Sequence, residues 1–153
     1  MENLQETEAI KQLKYRYFRA LDTNDWQLFA DCLDESCTAE YGDGKHSFDN
    51  RNAIVDFMSE NMSSSSFLSM HHGHHPEISI AADGSTATGI WYLQDMIVNL
   101  EHNVRIYGTG IYSDRYVKSG DSWKISHTGY ARVFECLEPL GSGHRVLRNM
   151  FAK

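Results

Sequence analysis

From Pro76 to Glu135 the sequence is a near-continuous series of long strand-type segments, and no other feature restricts the fold as much. Pro76–Ala81 ends at an Asp83-Gly84 turn. Thr86–Leu100 and Val104–Lys118 follow, and Gly120-Asp121 turns the chain into Ser122–Glu135. Strands this long, joined by short turns, predict an antiparallel meander that must twist and curl. Gly89, Gly108, Gly110 and Gly129 fall inside the segments, where bulges or sharp bends are expected.

The front of the chain has a different period. Ile10, Leu13, Tyr17 and Leu21 recur at helical spacing, which predicts a helix over residues 5–21. Asn24 or Asp25 can cap a second helix carrying Trp26, Phe29 and Leu33. A short strand over Cys37–Gly42, an Asp43-Gly44 turn and a return over Lys45–Phe48 come next. Asp49 or Asn50 then caps a third helix with Ile54, Val55, Phe57, Met58 and Met62, and Ser63–Ser66 is a loop. Three helices followed by a curled antiparallel sheet is an α+β order, with the helices packed across the open side of a cone and a pocket inside.

At 153 residues and 41% hydrophobic, the chain fits one domain over residues 1–153 with a real core. The formal charge of −7 and the pI near 5.5 disfavour a nucleic-acid binder, which needs a basic face. No apolar run approaches the roughly 20 residues of a membrane helix. The opening MENLQETEAIK is polar and acidic, unlike a secretory signal. With Cys32, Cys37 and Cys136 as an odd, sparse set of thiols, a reduced, cytoplasmic protein is expected.

Several residues break the pattern around them. Alternation puts Asp95 on one face with Trp91, Leu93 and Ile97, where a carboxylate needs a partner unless that face is outside or a bulge turns it to solvent. Arg132 shares a face with Thr128, Tyr130 and Phe134 and either fixes a carboxylate or carbonyl or lies at the rim. His71-His72-Gly73-His74-His75 reads as a metal site, a solvated loop or a source of one pocket base. Alternation does not select the histidine, because Ile78 and Ile80 have the opposite parity to His71 and a break near Gly73 or Pro76 is required. Asp22 closes the first helix, where a local turn is the ordinary role.

The runs AIKQLKYRYFRALD, SMHHGHHPEISI, TATGIWYLQD and TGYARVFE, in that order, resemble SnoaL-like domains of the nuclear transport factor 2-like superfamily. Within it they are most similar to bacterial bile acid 7α-dehydratase, and more distantly to scytalone dehydratase. The resemblance covers about Ala9 to Glu135. It implies a conical α+β barrel, a homotrimer with a homodimer as the alternative, and no metal or organic cofactor. It also implies site residues: His71 as base, Asp22 as its partner, and Tyr17 and Tyr41 as pocket tyrosines, with Asp95 and Arg132 at the substrate. Trp91, Phe67, Leu68, Met70 and Phe134 are expected to line a site for a hydrophobic ring substrate. The expected activity is cofactor-independent elimination of water beside a carbonyl in a steroid-like or other ring-shaped hydroxy-ketone. An isomerase or polyketide cyclase, and a non-catalytic small-molecule-binding domain, are the alternatives. The tail over residues 139–153, with Arg145, Arg148 and Lys153, is expected to pack as a lid or subunit contact through Leu147, Met150 and Phe151.

Overall fold

The computed structural model describes residues 2–152. Met1 and Lys153, the latter counted above in the basic tail, lie outside the described residues. Helix α1 spans Glu2–Thr23, and its predicted stripe is the one that is buried: Ile10, Leu13, Tyr17 and Leu21 are at most 2% exposed. Asn24 takes the left-handed conformation that breaks the helix, and Asp25 caps α2, Trp26–Cys32, by accepting from Leu28 N–H. Strand β1, Leu33–Tyr41, begins four residues earlier than expected, and β2 is His46–Phe48. Of the two candidate caps for α3, Arg51–Met62, Asn50 serves, accepting from Ala53 N–H.

Strands β3 (Phe67–Ile80), β4 (Thr86–Asn99), β5 (Val104–Ser119) and β6 (Ser122–Pro139) form the expected meander. The sheet order is β2-β1-β6-β5-β4-β3. This is the expected α+β cone: the curled sheet is unclosed, with β2 and β3 as its two edges. One expectation needs correction, since the sheet is not antiparallel throughout: β1 returns after the helical hairpin to lie parallel to β6.

The third strand starts at Phe67, not Pro76, so the histidines belong to a strand rather than a loop. His74 pairs with Tyr92 and Glu77 with Ile90, so His75 and Pro76 together oppose one residue, Trp91. This is a β-bulge, and His75 holds a φ of 48° there. It reverses the side-chain parity: Phe67 and His71 share the inner face before it, and Ile78 and Ile80 after it. A second bulge, at Val133, lies where Thr109 pairs with Phe134 and Gly110 with Arg132.

The inner face carries the core. Trp91, Leu93, Tyr112, Tyr116 and Ile125 pack against α1 and α2 with at most 2% exposure. Within it lies a fully enclosed ion pair. Lys14 Nζ is 2.8 Å from Asp114 Oδ2, in contact but without hydrogen-bond alignment, so the attraction is ionic. The ammonium otherwise faces the rings of Tyr112 and Tyr17, at 3.7 and 4.4 Å from their centroids. Burial lowers the Lys14 pKa, opposed by Asp114. Asp114 also accepts from Thr128 and Tyr116 hydroxyls. Cys32, Cys37 and Cys136 are free thiols. Among the described residues, no helix is long and apolar enough to cross a membrane.

Removing only one partner of this pair leaves the other charge buried alone. Lys14→Met is therefore expected to cost about 3–5 kcal/mol of stability, seen as a lower urea midpoint, and Lys14→Met with Asp114→Leu to recover part of it.

Candidate functional site at the seam between helix and sheet

Asp22 sits in the last turn of α1, where the helix meets the free edge of β3. Its carboxylate accepts three hydrogen bonds from that strand. Ser69 Oγ donates to Oδ1 at 2.8 Å, His71 N–H to Oδ2 at 2.8 Å, and His71 Nδ1 to Oδ1 at 2.7 Å. Burial works to raise the Asp22 pKa, but the bonds and charge of His71 and the bond from Ser69 outweigh it, so the carboxyl lies below its ordinary value. An ionised carboxylate only accepts, so His71 Nδ1 carries the proton. Neutral His71 therefore has its lone pair on Nε2. Phe18 stacks parallel to the imidazole, with centroids 6.2 Å apart and planes within 9°.

The His71 backbone N–H points off the sheet edge toward Asp22, so it is not paired to β4. His71 is nonetheless in register with Asp95. That makes them a non-hydrogen-bonded antiparallel pair, the kind in which side chains approach most closely. The row continues through Gly108 to Glu135, and the next row is Gly73, Leu93, Gly110 and Arg132. Gly108 and Gly110 let the β6 backbone come close, since a Cβ would clash with the Phe134 carbonyl oxygen at the first and lie 2.9 Å from the Ala131 carbonyl oxygen at the second. The Arg132 guanidinium forks onto Asp95 at 2.6 and 2.7 Å, and its Nε is 3.0 Å from Glu135. Burial opposes the Arg132 cation, but Asp95 more than compensates and raises its pKa. Asp95, with a side chain 6% exposed, has the partner its position requires.

Tyr17 and Tyr41 hydroxyls are 3.1 Å apart. Burial first, then Tyr41 in the case of Tyr17 and Tyr112 in the case of Tyr41, raises both phenol pKa values well above normal, so both stay protonated, although the bond from Tyr17 works the other way on Tyr41. Trp91 is wholly enclosed and donates its indole N–H to Tyr116. Phe67 packs against the core at the start of β3.

Three expected lining residues are corrected. Met70 pairs with Met96, and Phe134 with Thr109, on the outer face of the sheet. Met70 is one residue out of phase with His71, and the Val133 bulge turns Phe134 away from Arg132. Leu68 also has the outer parity. Both Met70 and Phe134 line a concavity of about 780 Å³ on that outer face with His74, Tyr92, Met96 and Tyr107. It is roomy but lacks the acid–base pair. A smaller crevice, lined by Tyr15, Phe18, Arg19, Asp22, His71 and His74, opens onto the pair itself. His72, His74 and His75 are exposed around the bulge. Among the described residues no three His, Cys, Asp or Glu side chains converge as a metal-binding group. In the tail, Phe151 is half-buried and Asn149 donates to Ser65 carbonyl, while Leu147 and Met150 stand in solvent.

Sequence reasoning missed Ser69, Phe18 and Glu135. Ser69 shares parity with His71, so a strand drawn from Phe67 would have placed it beside Asp22.

The model of the SnoaL-like domain matches residues 2–129. Several solved structures share the fold. A candidate scytalone dehydratase from Novosphingobium aromaticivorans is 18% identical, with a TM-score of 0.79 over 94% of this chain and 97% of that one. The hexachlorocyclohexane dehydrochlorinase LinA-type3 from Novosphingobium barchaimii is 17% identical, with a TM-score of 0.79 over 95% and 97%. ActVI-ORFA from Streptomyces coelicolor is 15% identical, with a TM-score of 0.70 over 83% and 96%.

A carboxyl with a lowered pKa stabilises the fold above its unfolded value, near 3.8, and the stabilisation is lost as pH falls through the lower folded value. The urea midpoint of the wild type is expected to drop across that acidic window, and that of Asp22→Asn to drop less steeply.

Proposed function

The chain belongs to the SnoaL-like domain family, and from that membership we propose that it is a cofactor-independent lyase. It eliminates water beside a carbonyl in a hydrophobic ring-shaped hydroxy-ketone, in the manner of bile acid 7α-dehydratase or scytalone dehydratase. The observation that carries this reading is the bonding of Asp22: three donors fix the carboxylate, His71 Nδ1 among them, and leave Nε2 as the free basic nitrogen.

His71 Nε2 takes the proton from the carbon beside the carbonyl. The C–H electron pair moves into the enolate, and the positive charge left on the imidazole lies against Asp22. Tyr17 and Tyr41, protonated at neutral pH, donate hydrogen bonds to the enolate oxygen or the departing oxygen. The enolate then re-forms the carbonyl, the C–O bond breaks, and the hydroxide leaves as water with the proton that His71 had taken. Arg132 and Asp95 orient the substrate beside the base. No step requires a metal or redox group, since the only transfers are of a proton and a hydroxide.

With this activity we propose a homotrimer, a homodimer being the alternative. The exposed Tyr92, Tyr107, Val133, Phe134 and Leu137 on the sheet favour burial against other copies.

On a ring hydroxy-ketone that turns over, His71→Ala is expected to lower kcat by about 10²–10⁴-fold. Retention of full turnover would remove the base. Mass spectrometry of the product should show loss of one water, whereas an unchanged mass would select the isomerase. Light scattering should give three times the 17.5 kDa chain mass, and a monomer would contradict the assembly.

A further inference from the structure

Arginine in a ligand site is ordinarily an anion receptor, because its planar fork matches a carboxylate. Arg132 is not available for that. Both terminal nitrogens are held by Asp95, and Nε lies against Glu135. An incoming carboxylate would have to displace Asp95, leaving a nearly enclosed charge without its partner. The carboxylates of Asp95 and Glu135 face this single guanidinium, while Asp22 is engaged by His71 and Ser69 at the sheet edge. Asp43 adds a further acid, with its side chain accepting from Arg132 backbone N–H.

We propose that Glu135 is a specificity-determining residue: with Asp95 it saturates Arg132 and sets the site for uncharged ring ketones, against analogues carrying a carboxylate on the reacting ring system. The inference rests on the lyase reading above and specifies its substrate class. The geometry explains why Glu135 has this reach. Gly108 stands between Asp95 and Glu135 in the row, and its missing Cβ lets the Phe134–Glu135 backbone approach, so both acids reach the same guanidinium. Glu135 is half-exposed, and an exposed ion pair three residues apart contributes little to stability. Its charge therefore acts on what enters rather than on whether the chain folds.

The test is calorimetric titration at neutral pH and low ionic strength with a matched pair, a tetralone carboxylic acid and its methyl ester. Wild type should bind the ester at least about tenfold more tightly than the acid, the size expected for like charges at this separation in a partly wet site. Glu135→Gln should tighten the acid and leave the ester unchanged, shrinking the ratio severalfold, with an unaltered urea midpoint. Equal or tighter binding of the acid by wild type, or a ratio that Glu135→Gln does not move, would overturn the proposal while leaving the ring-ketone reading in place. Binding of neither compound would overturn that reading, and the selectivity with it.

Discussion

The contact on which the site depends is the carboxylate of Asp22 on the edge of β3. An edge strand exposes a row of unpaired N–H and C=O groups. Here one of them, His71 N–H, is taken by a side chain from the end of α1, and the same carboxylate collects the Ser69 hydroxyl and the His71 ring. Three bonds to one group do three things. They fasten the helix to the sheet, they keep the acid ionised, and they fix the tautomer of the imidazole. Because His71 N–H turns outward, His71 and Asp95 stand opposite each other as a non-hydrogen-bonded pair, and Asp95 in turn holds Arg132.

The two buried ion pairs divide the interior. Lys14 and Asp114 are fully enclosed, surrounded by Tyr17, Tyr112, Tyr116 and Thr128, and lock α1 over the middle of the sheet. Arg132 and Asp95 lie where Glu135 reaches solvent, so their charge can be felt by a ligand. Burial sets the difference: the first pair is structural, and the second is placed to choose what comes near His71.

Much of the fold was legible because local chemistry and tertiary packing agree. The stripe from Ile10 to Leu21, the Asp43-Gly44 and Asp83-Gly84 turns and the alternation through Trp91, Leu93 and Asp95 all appear where the residues place them. What could not be read was each point where the backbone slips a register. The His75-Pro76 bulge hid the strand around the histidines, because no side-chain period survives across it. The Val133 bulge sent Phe134 to the outer face although it sits two residues from Arg132. Asp22 looked like an ordinary helix-ending acid, since its partners lie more than forty-five residues away. Glu135 was overlooked because a glutamate near a strand end is usually solvated, and only the paired row reveals its neighbour.

The state of the His71 ring offers the most direct check. Nitrogen-15 NMR of the imidazole in alkaline solution, where histidine rings are neutral, should show the proton on Nδ1 with Nε2 bare, and Asp22→Asn should abolish that preference. A neutral ring protonated on Nε2 in the wild type would leave no base facing the substrate and would contradict His71 as the group that takes the proton.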